Sequence, residues 1–222
     1  MVINIGYHQY QQFSLEPLIW FRADKGVIVD GNNKVEKWEN QGTGGNAYDV
    51  VQTTESNRPL WKDIEANGKP TLMFDGINDI LDVTTPITIN ALFVVANWTG
   101  VSPFDRYCSF VGLKEVDDSG NYTTFMTHNT TTNFYPAQSI FLERYINSIL
   151  TLEYSPLYSY KVSTGINNSS IFINNGFTIG RESYYWNAYW QGGISEILIF
   201  NKTLLNMERI QIESYLMKKY AI

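Results

Sequence analysis

Apolar residues along this chain come in short bursts between clusters of Asn, Gly, Asp and Thr. Residues 17–21, "PLIWF", precede the turn-rich "DGNN" at 30–33, and 70–76, "PTLMFDG", end on an Asp-Gly pair. The run 87–98, "ITINALFVVANW", is dense in β-branched and aromatic residues and is the strongest strand signal. In 170–180, "SIFINNGFTIG", two strand-like pieces flank Asn174-Asn175-Gly176; a hairpin is expected there because Asn and Gly tolerate positive φ. In 192–200, "GGISEILIF", nearly every position is apolar, which predicts a strand covered on both faces. Short strands at this spacing, joined by polar loops, predict an all-β sandwich or barrel.

The ending changes period. In "LLNMERIQIESYLMKKYAI", Ile212, Tyr215, Leu216 and Tyr220 recur at three- and four-residue intervals, so an amphipathic helix is expected over 206–220, capped by Asn206. Glu208 near its start and Lys218 and Lys219 near its end suit the helix dipole. No linker or internal repeat divides the chain. It reads as an N-terminal extension, 1–16, followed by one domain, 17–222, that includes the helix.

Composition narrows the function classes. The chain has 222 residues, 44% of them hydrophobic and 17% charged, enough for a full core in one domain. With 16 basic against 22 acidic residues, a net charge of −6 and no Lys/Arg-rich stretch, there is no footprint for nucleic acid. Cys108 is the single cysteine, which excludes an intrachain disulfide; with only His8 and His128 beside it, no zinc cluster has a recognised spacing. Cys108 and His128 form a catalytic pair on one reading and a buried thiol beside a loop histidine on the other, and free cysteine is usually buried. The N-terminus lacks the marks of a secretory signal, and the longest apolar run, 91–98, falls far short of the ~20 residues of a membrane span, so no membrane insertion is expected.

Several segments, taken in order, resemble the concanavalin A-like lectin/glucanase superfamily in its laminin-G-like jelly-roll branch. They are "PLIWFRADKGV", "KVEKWENQGTGGNAYDVVQ", "RPLW", "NGKPTLMFDGINDIL", "IGR", "QGGISEILIFNKTLL" and the terminal "ERIQIESYLMKKYAI". The resemblance covers 17–222. It implies an all-β fold: a two-sheet antiparallel jelly-roll sandwich closed by the C-terminal amphipathic helix. Packing of such sheets would place Trp20 and Trp38 in the core. Gly76 would permit a tight turn in which the Asp75 carboxylate satisfies loop amides.

The resemblance also raises three chemistries. Glucanases of the superfamily carry carboxylates in the pattern Glu-x-Asp-x-x-Glu, and a retaining pair needs about 5–5.5 Å between its carboxyl groups. The nearest match, "KEVDDSGN" at 114–121, supplies Glu115 and Asp117 but has Gly120 in place of the second Glu. With Asp118 these residues read as a solvated loop, and Glu196, within a strand, reads as a structural hydrogen-bond acceptor. No catalytic residue is assigned. A rim calcium is the second chemistry: Asp75, Asn78 and Asp79, with Asp82 nearby, offer the oxygen donors a structural calcium takes, although turns favour Asp and Asn for backbone reasons alone. No other cofactor is expected.

Glycan recognition is the third, since apolar sugar faces stack on aromatic rings while hydroxyls need planar polar partners. Residues 127–138 supply Asn129, Asn133, Tyr135 and Gln138, and 181–191 supply Tyr184, Tyr185, Trp186 and Asn187. Of "YYWNAYW" (184–190), at least one of Tyr189 and Trp190 is expected in the core, and Tyr184, Tyr185 and Trp186 on an exposed platform. Tyr-rich loops equally suit protein contacts. The expected function is a non-catalytic binding or adhesion module, a bacteriophage virion structural protein that decorates a capsid or serves tail or fibre attachment. Its partner would be a glycan or protein on a cell surface or virion, with homo-oligomerisation open. The expected location is the virion, or extracellular if the chain is a trimmed domain. The alternatives are a secreted polysaccharide hydrolase and a pure assembly protein without a glycan ligand.

Overall fold

The computed structural model describes residues 16–99, 108–109, 111–116, 122–124, 127–128, 134–135, 143–150, 159–181 and 189–222. In chain order its strands are β1 (Ile19–Arg22), β2 (Val27–Val29), β3 (Val35–Trp38), β4 (Val50–Val51), β5 (Leu60–Lys62), β6 (Thr71–Asp75), β7 (Leu81–Val83) and β8 (Ile87–Ala96). Then come β9 (Cys108–Ser109), β10 (Val111–Val116), β11 (Tyr122–Thr124), β12 (Thr127–His128), β13 (Phe134–Tyr135), β14 (Glu143–Ile146) and β15 (Ile149–Leu150). The last are β16 (Lys161–Ile173), β17 (Phe177–Ile179) and β18 (Gln191–Phe200), followed by one helix, α1 (Asn206–Tyr220).

These strands build two large antiparallel sheets, as a two-sheet sandwich requires. The eight-stranded sheet runs β15-β14-β16-β8-β18-β6-β5, with β1 also paired to β18. The seven-stranded sheet runs β11-β10-β17-β7-β4-β3-β2, and β13-β12-β9 form a small third sheet. β6 and β1 share one edge of β18: Gln191–Ile194 pair with Asp75–Leu72, and Glu196–Ile199 with Arg22–Ile19. Among the described residues no helix is long and apolar enough to cross a membrane.

The main core lies between the sheets. Ile19, Phe21, Leu72, Phe74, Leu92, Val94, Ile197 and Ile199 from one sheet meet Val35, Trp38, Val50, Leu81, Phe177 and Ile179 from the other. A second core covers the opposite face of the eight-stranded sheet, where Phe93, Val95, Val162, Leu198 and Phe200 pack against Ile212, Leu216 and Tyr220 of α1. β18 is therefore covered on both faces, as its unbroken apolar run predicts, and it is buried from Gly192 to Phe200. A register shift between Ile194 and Glu196 changes which residues face the inner core, so Ile194, Ile197 and Ile199 all do so. The outward face of the seven-stranded sheet is mixed: Lys37, Val51, Asp82 and Thr178 stand in one cross-strand row.

Three local expectations are corrected. Asn174-Asn175-Gly176 does not form a hairpin. β16 pairs with β8 and β14 while β17 pairs with β7 and β10, so the turn carries the chain from one sheet to the other. Gly176 is needed there: its φ is 77°, and a Cβ would lie 2.2 Å from the Val83 carbonyl oxygen. A two-residue hairpin turn does occur at Asn147-Ser148, both at positive φ, between β14 and β15. Second, Leu205 rather than Asn206 occupies the N-cap. The Asn206 carboxamide oxygen accepts instead from the Arg209 guanidinium, at 3.2 and 2.7 Å, and Glu208 accepts the Leu205 N–H at 2.6 Å. Third, Trp38 fills the main core as expected, but Trp20 points to the other face and lies half-buried beside α1, edge-on to Tyr215.

A helix laid on a sheet brings polar groups under cover, and these are paired. Glu196 is fully buried; its carboxylate accepts from Trp20 Nε1 at 2.7 Å, Lys219 Nζ at 2.6 Å and the Tyr220 hydroxyl at 2.9 Å. Lys219 also faces Asp24 at 3.2 Å, and Asp24 pairs with Arg22 at 3.0 Å. At the other end of α1 the buried Glu213 accepts from Arg209 and from Ser148, and Arg209 lies over the Tyr145 ring at 3.7 Å. Glu196→Ala should cost about 3 kcal/mol in urea denaturation, the low end for breaking a buried pair because Asp24 still faces the ammonium. A loss below ~1 kcal/mol would show that this network does not fasten the helix.

Candidate functional site

The turn between β6 and β7 forms one corner of the sandwich. Gly76 adopts φ 77°, and the Asp75 carboxylate accepts the backbone N–H groups of Ile77, Asn78 and Asp79 at 2.8, 3.1 and 3.3 Å. The carboxylate thus organises its own loop, as the Asp-Gly pair predicts. Asp79 faces inward with 1% exposure, and its Oδ2 accepts the Asp75 N–H at 2.9 Å. Ile77, 71% exposed, stands at the tip.

Pairing of β6 with β18 sets the base of a second loop against this turn. Gln191 lies opposite Asp75, and a Cβ at Gly76 would come within 2.7 Å of the Gln191 side chain. Gly180 packs on Phe74 and the Asp79 carbonyl. The Trp190 N–H donates to the Gly180 carbonyl at 2.8 Å, and Arg181 bridges to Tyr189, so residues 180–181 and 189–190 are held together. A third element, the loop around Asn57, closes the corner. The Asn78 Nδ2 donates to Asn57 Oδ1 at 3.3 Å, and the Ile80 N–H donates to the Asn57 carbonyl at 3.0 Å. Next to this corner, on the outward face of the seven-stranded sheet, Ala47, Gln52, Thr53, Ile80, Asp82 and Thr84 help line an open groove of about 400 Å³.

The candidates of the sequence distribute unevenly over this arrangement. Asn133, Tyr184, Tyr185, Trp186 and Asn187 lie outside the described residues, as do Asn129, Gln138, Asp117 and Asp118. Two positions expected in loops are corrected to strands: Tyr135 belongs to β13 and Glu115 to β10. Trp190 is fully buried, edge-on to Trp98 at 5.0 Å, so one end of "YYWNAYW" is core, as expected. Tyr189 is half-buried with the Arg181 guanidinium 5.4 Å from its ring centre. Cys108 and His128 are direct cross-strand neighbours in the small sheet. Glu196 is the structural acceptor the sequence suggested, under α1 and away from the groove-bearing sheet. Asn57, Arg181 and Gln191 were missed as parts of one corner, because only the β6–β18 pairing makes them neighbours.

The corner fits calcium poorly. Calcium takes six to eight oxygens, yet Asp75 Oδ1 and Asp79 Oδ2 already accept from backbone amides. Among the described residues no group of three or more acidic, Cys or His side chains is placed to hold a metal. Asp79 Oδ1 finds no hydrogen-bond partner among the described residues. Burial first, and the Asp75 charge second, push the Asp79 carboxyl from its ordinary 3.8 up to about 7.

No family model, curated protein or solved structure matches this sequence significantly.

Because Asp79 binds its proton more tightly folded than unfolded, its contribution is fully present below its ordinary pKa of 3.8 and is lost as pH rises through about 7. Asp79→Asn keeps an acceptor for the Asp75 N–H without the charge. In thermal unfolding at about pH 8 this variant should be more stable than the parent, with a flatter decline from about pH 4. An unchanged pH profile would contradict the assignment.

Proposed function

We propose that this chain is a non-catalytic binding module of a virion or cell surface that recognises glycan through the corner built around the β6–β7 turn. The carrying observation is convergence. An exposed Ile77, the planar amides of Asn57, Asn78 and Gln191, and the half-buried Tyr189 belong to the elements that meet at this corner. A saccharide needs such a mixture: apolar and aromatic surface for its C–H faces, and amides able to donate and accept at once for its hydroxyls. The adjacent groove offers room for further sugar units.

A non-catalytic role is supported by the use of the carboxylates. Glu196 accepts from three donors beneath α1, and Asp75 Oδ1 from three amides of its own turn. Among the described residues neither is set opposite a partner across the groove, as a glycosidase pair would be. The virion setting rests on the sequence resemblance and on the single cysteine, which suits assembly in a reducing compartment.

A glycan array tests this reading. The chain should retain at least one glycan without releasing reducing ends from it, and binding should persist in a chelator. Tyr185→Ala and Trp186→Ala should each weaken binding about tenfold or more, a loss of about 1.4 kcal/mol. Absence of any glycan ligand, together with a stable oligomer in solution, would favour a pure assembly protein. Reducing-end release abolished by Glu115→Gln, in a variant that keeps the parent's Tm, would establish a hydrolase.

A further inference from the structure

We propose that Asn67 is a site of spontaneous deamidation whose conversion loosens the C-terminal helix. The sequence holds two Asn-Gly pairs, Asn67-Gly68 and Asn175-Gly176. Asparagine amides are chemically labile, most of all before glycine, where no side chain shields the next backbone nitrogen. The two pairs sit in opposite surroundings.

Asn67 and Gly68 form the tip of the turn between β5 and β6, closed by reciprocal hydrogen bonds between Ala66 and Lys69 at 2.9 and 3.0 Å. Both residues are exposed, and both adopt positive φ, 49° and 81°. The space beside Gly68 is open, with no atom within 4 Å of the position a Cβ would take. Gly176 is buried, and the same construction there meets the Val83 carbonyl oxygen at 2.2 Å. The first pair has room for ring closure; in the second Asn175 is exposed as well, and it is the glycine that is clamped against the Val83 carbonyl.

The chemistry needs only water. The Gly68 backbone nitrogen attacks the Asn67 carboxamide carbon, a C–N bond forms to close a five-membered imide, and the bond to Nδ2 breaks. Ammonia leaves with the proton lost from the Gly68 nitrogen. Water then adds to either imide carbonyl, and the ring opens to an aspartyl or an isoaspartyl linkage at position 67. No oxidant or reductant takes part.

The consequence follows from the partner of that amide. Asn67 Nδ2 donates to the Tyr220 carbonyl oxygen at 2.9 Å, at the C-terminal end of α1. Tyr220 is itself buried and bonded to Glu196. Deamidation replaces the donor with a carboxylate that can only accept, set against the negative end of the helix dipole. One hydrogen bond is lost and a repulsion is gained where the helix is fastened to the sheet.

The test is incubation of the full chain at mildly alkaline pH, with peptide mapping by mass spectrometry and thermal unfolding at each time point. Amide-to-acid conversion at Asn67 should run at least several-fold ahead of that at Asn175. The Tm should fall by about 2–4 °C in step with it, the shift that loss of one hydrogen bond gives in a chain of this size. Asn67→Asp should begin at the lowered Tm and show no drift. An intact amide at Asn67 while Asn175 converts would overturn the proposal, as would conversion at Asn67 with an unchanged Tm.

Discussion

Strands β8 and β18 carry apolar side chains on both faces, and the remaining architecture answers that demand. One face of each is covered by the seven-stranded sheet, the other by α1. Burial of apolar area at about 25 cal/mol per Å² makes leaving either face wet untenable for strands of this composition. The helix is therefore a third layer of the fold. Its polar residues must find partners within the contact, which explains why Glu196 and Glu213 are both fully buried and both held by cations and hydroxyls.

Much of this is legible in the sequence, where the signal is local. The double-faced burial of β18 follows from its unbroken apolar run, and the helix from the spacing of Ile212, Leu216 and Tyr220. The Asp75-Gly76 turn follows from the need of one residue for positive φ and of its neighbour to satisfy three amides. What fails is local reading of a long-range decision. Asn174-Asn175-Gly176 correctly marks a reversal, but which strands it joins depends on edges already taken: β16 is flanked by β8 and β14, leaving β17 to the opposite sheet. Trp20 likewise alternates with Ile19 and Phe21, so once those two face the inner core, Trp20 must face the helix.

The candidate site shows the same division. The turn chemistry of Asp75 is legible in the sequence, and so is the aromatic density of 184–190; the burial of Asp79, which reads there only as an oxygen donor, is not. Nor does the sequence show that Gln191, just after the aromatic run, pairs with Asp75 across β6 and β18. That pairing sets Gln191 beside the self-capped loop, with Asn57 completing the corner. It also changes the reading of the acidic residues. Asp75 holds the shape of the corner, and in the proposed function recognition falls to its amides and rings.

The most direct measurement is a backbone-amide NMR titration of the full chain with an oligosaccharide selected by its array response. Shift changes should concentrate at Asn57, Ile77, Asn78, Tyr189 and Gln191, spread into the groove at Gln52 and Thr84, and leave α1 unmoved. Changes confined to other surfaces, with the β6–β7 turn and Tyr189 silent, would contradict the account.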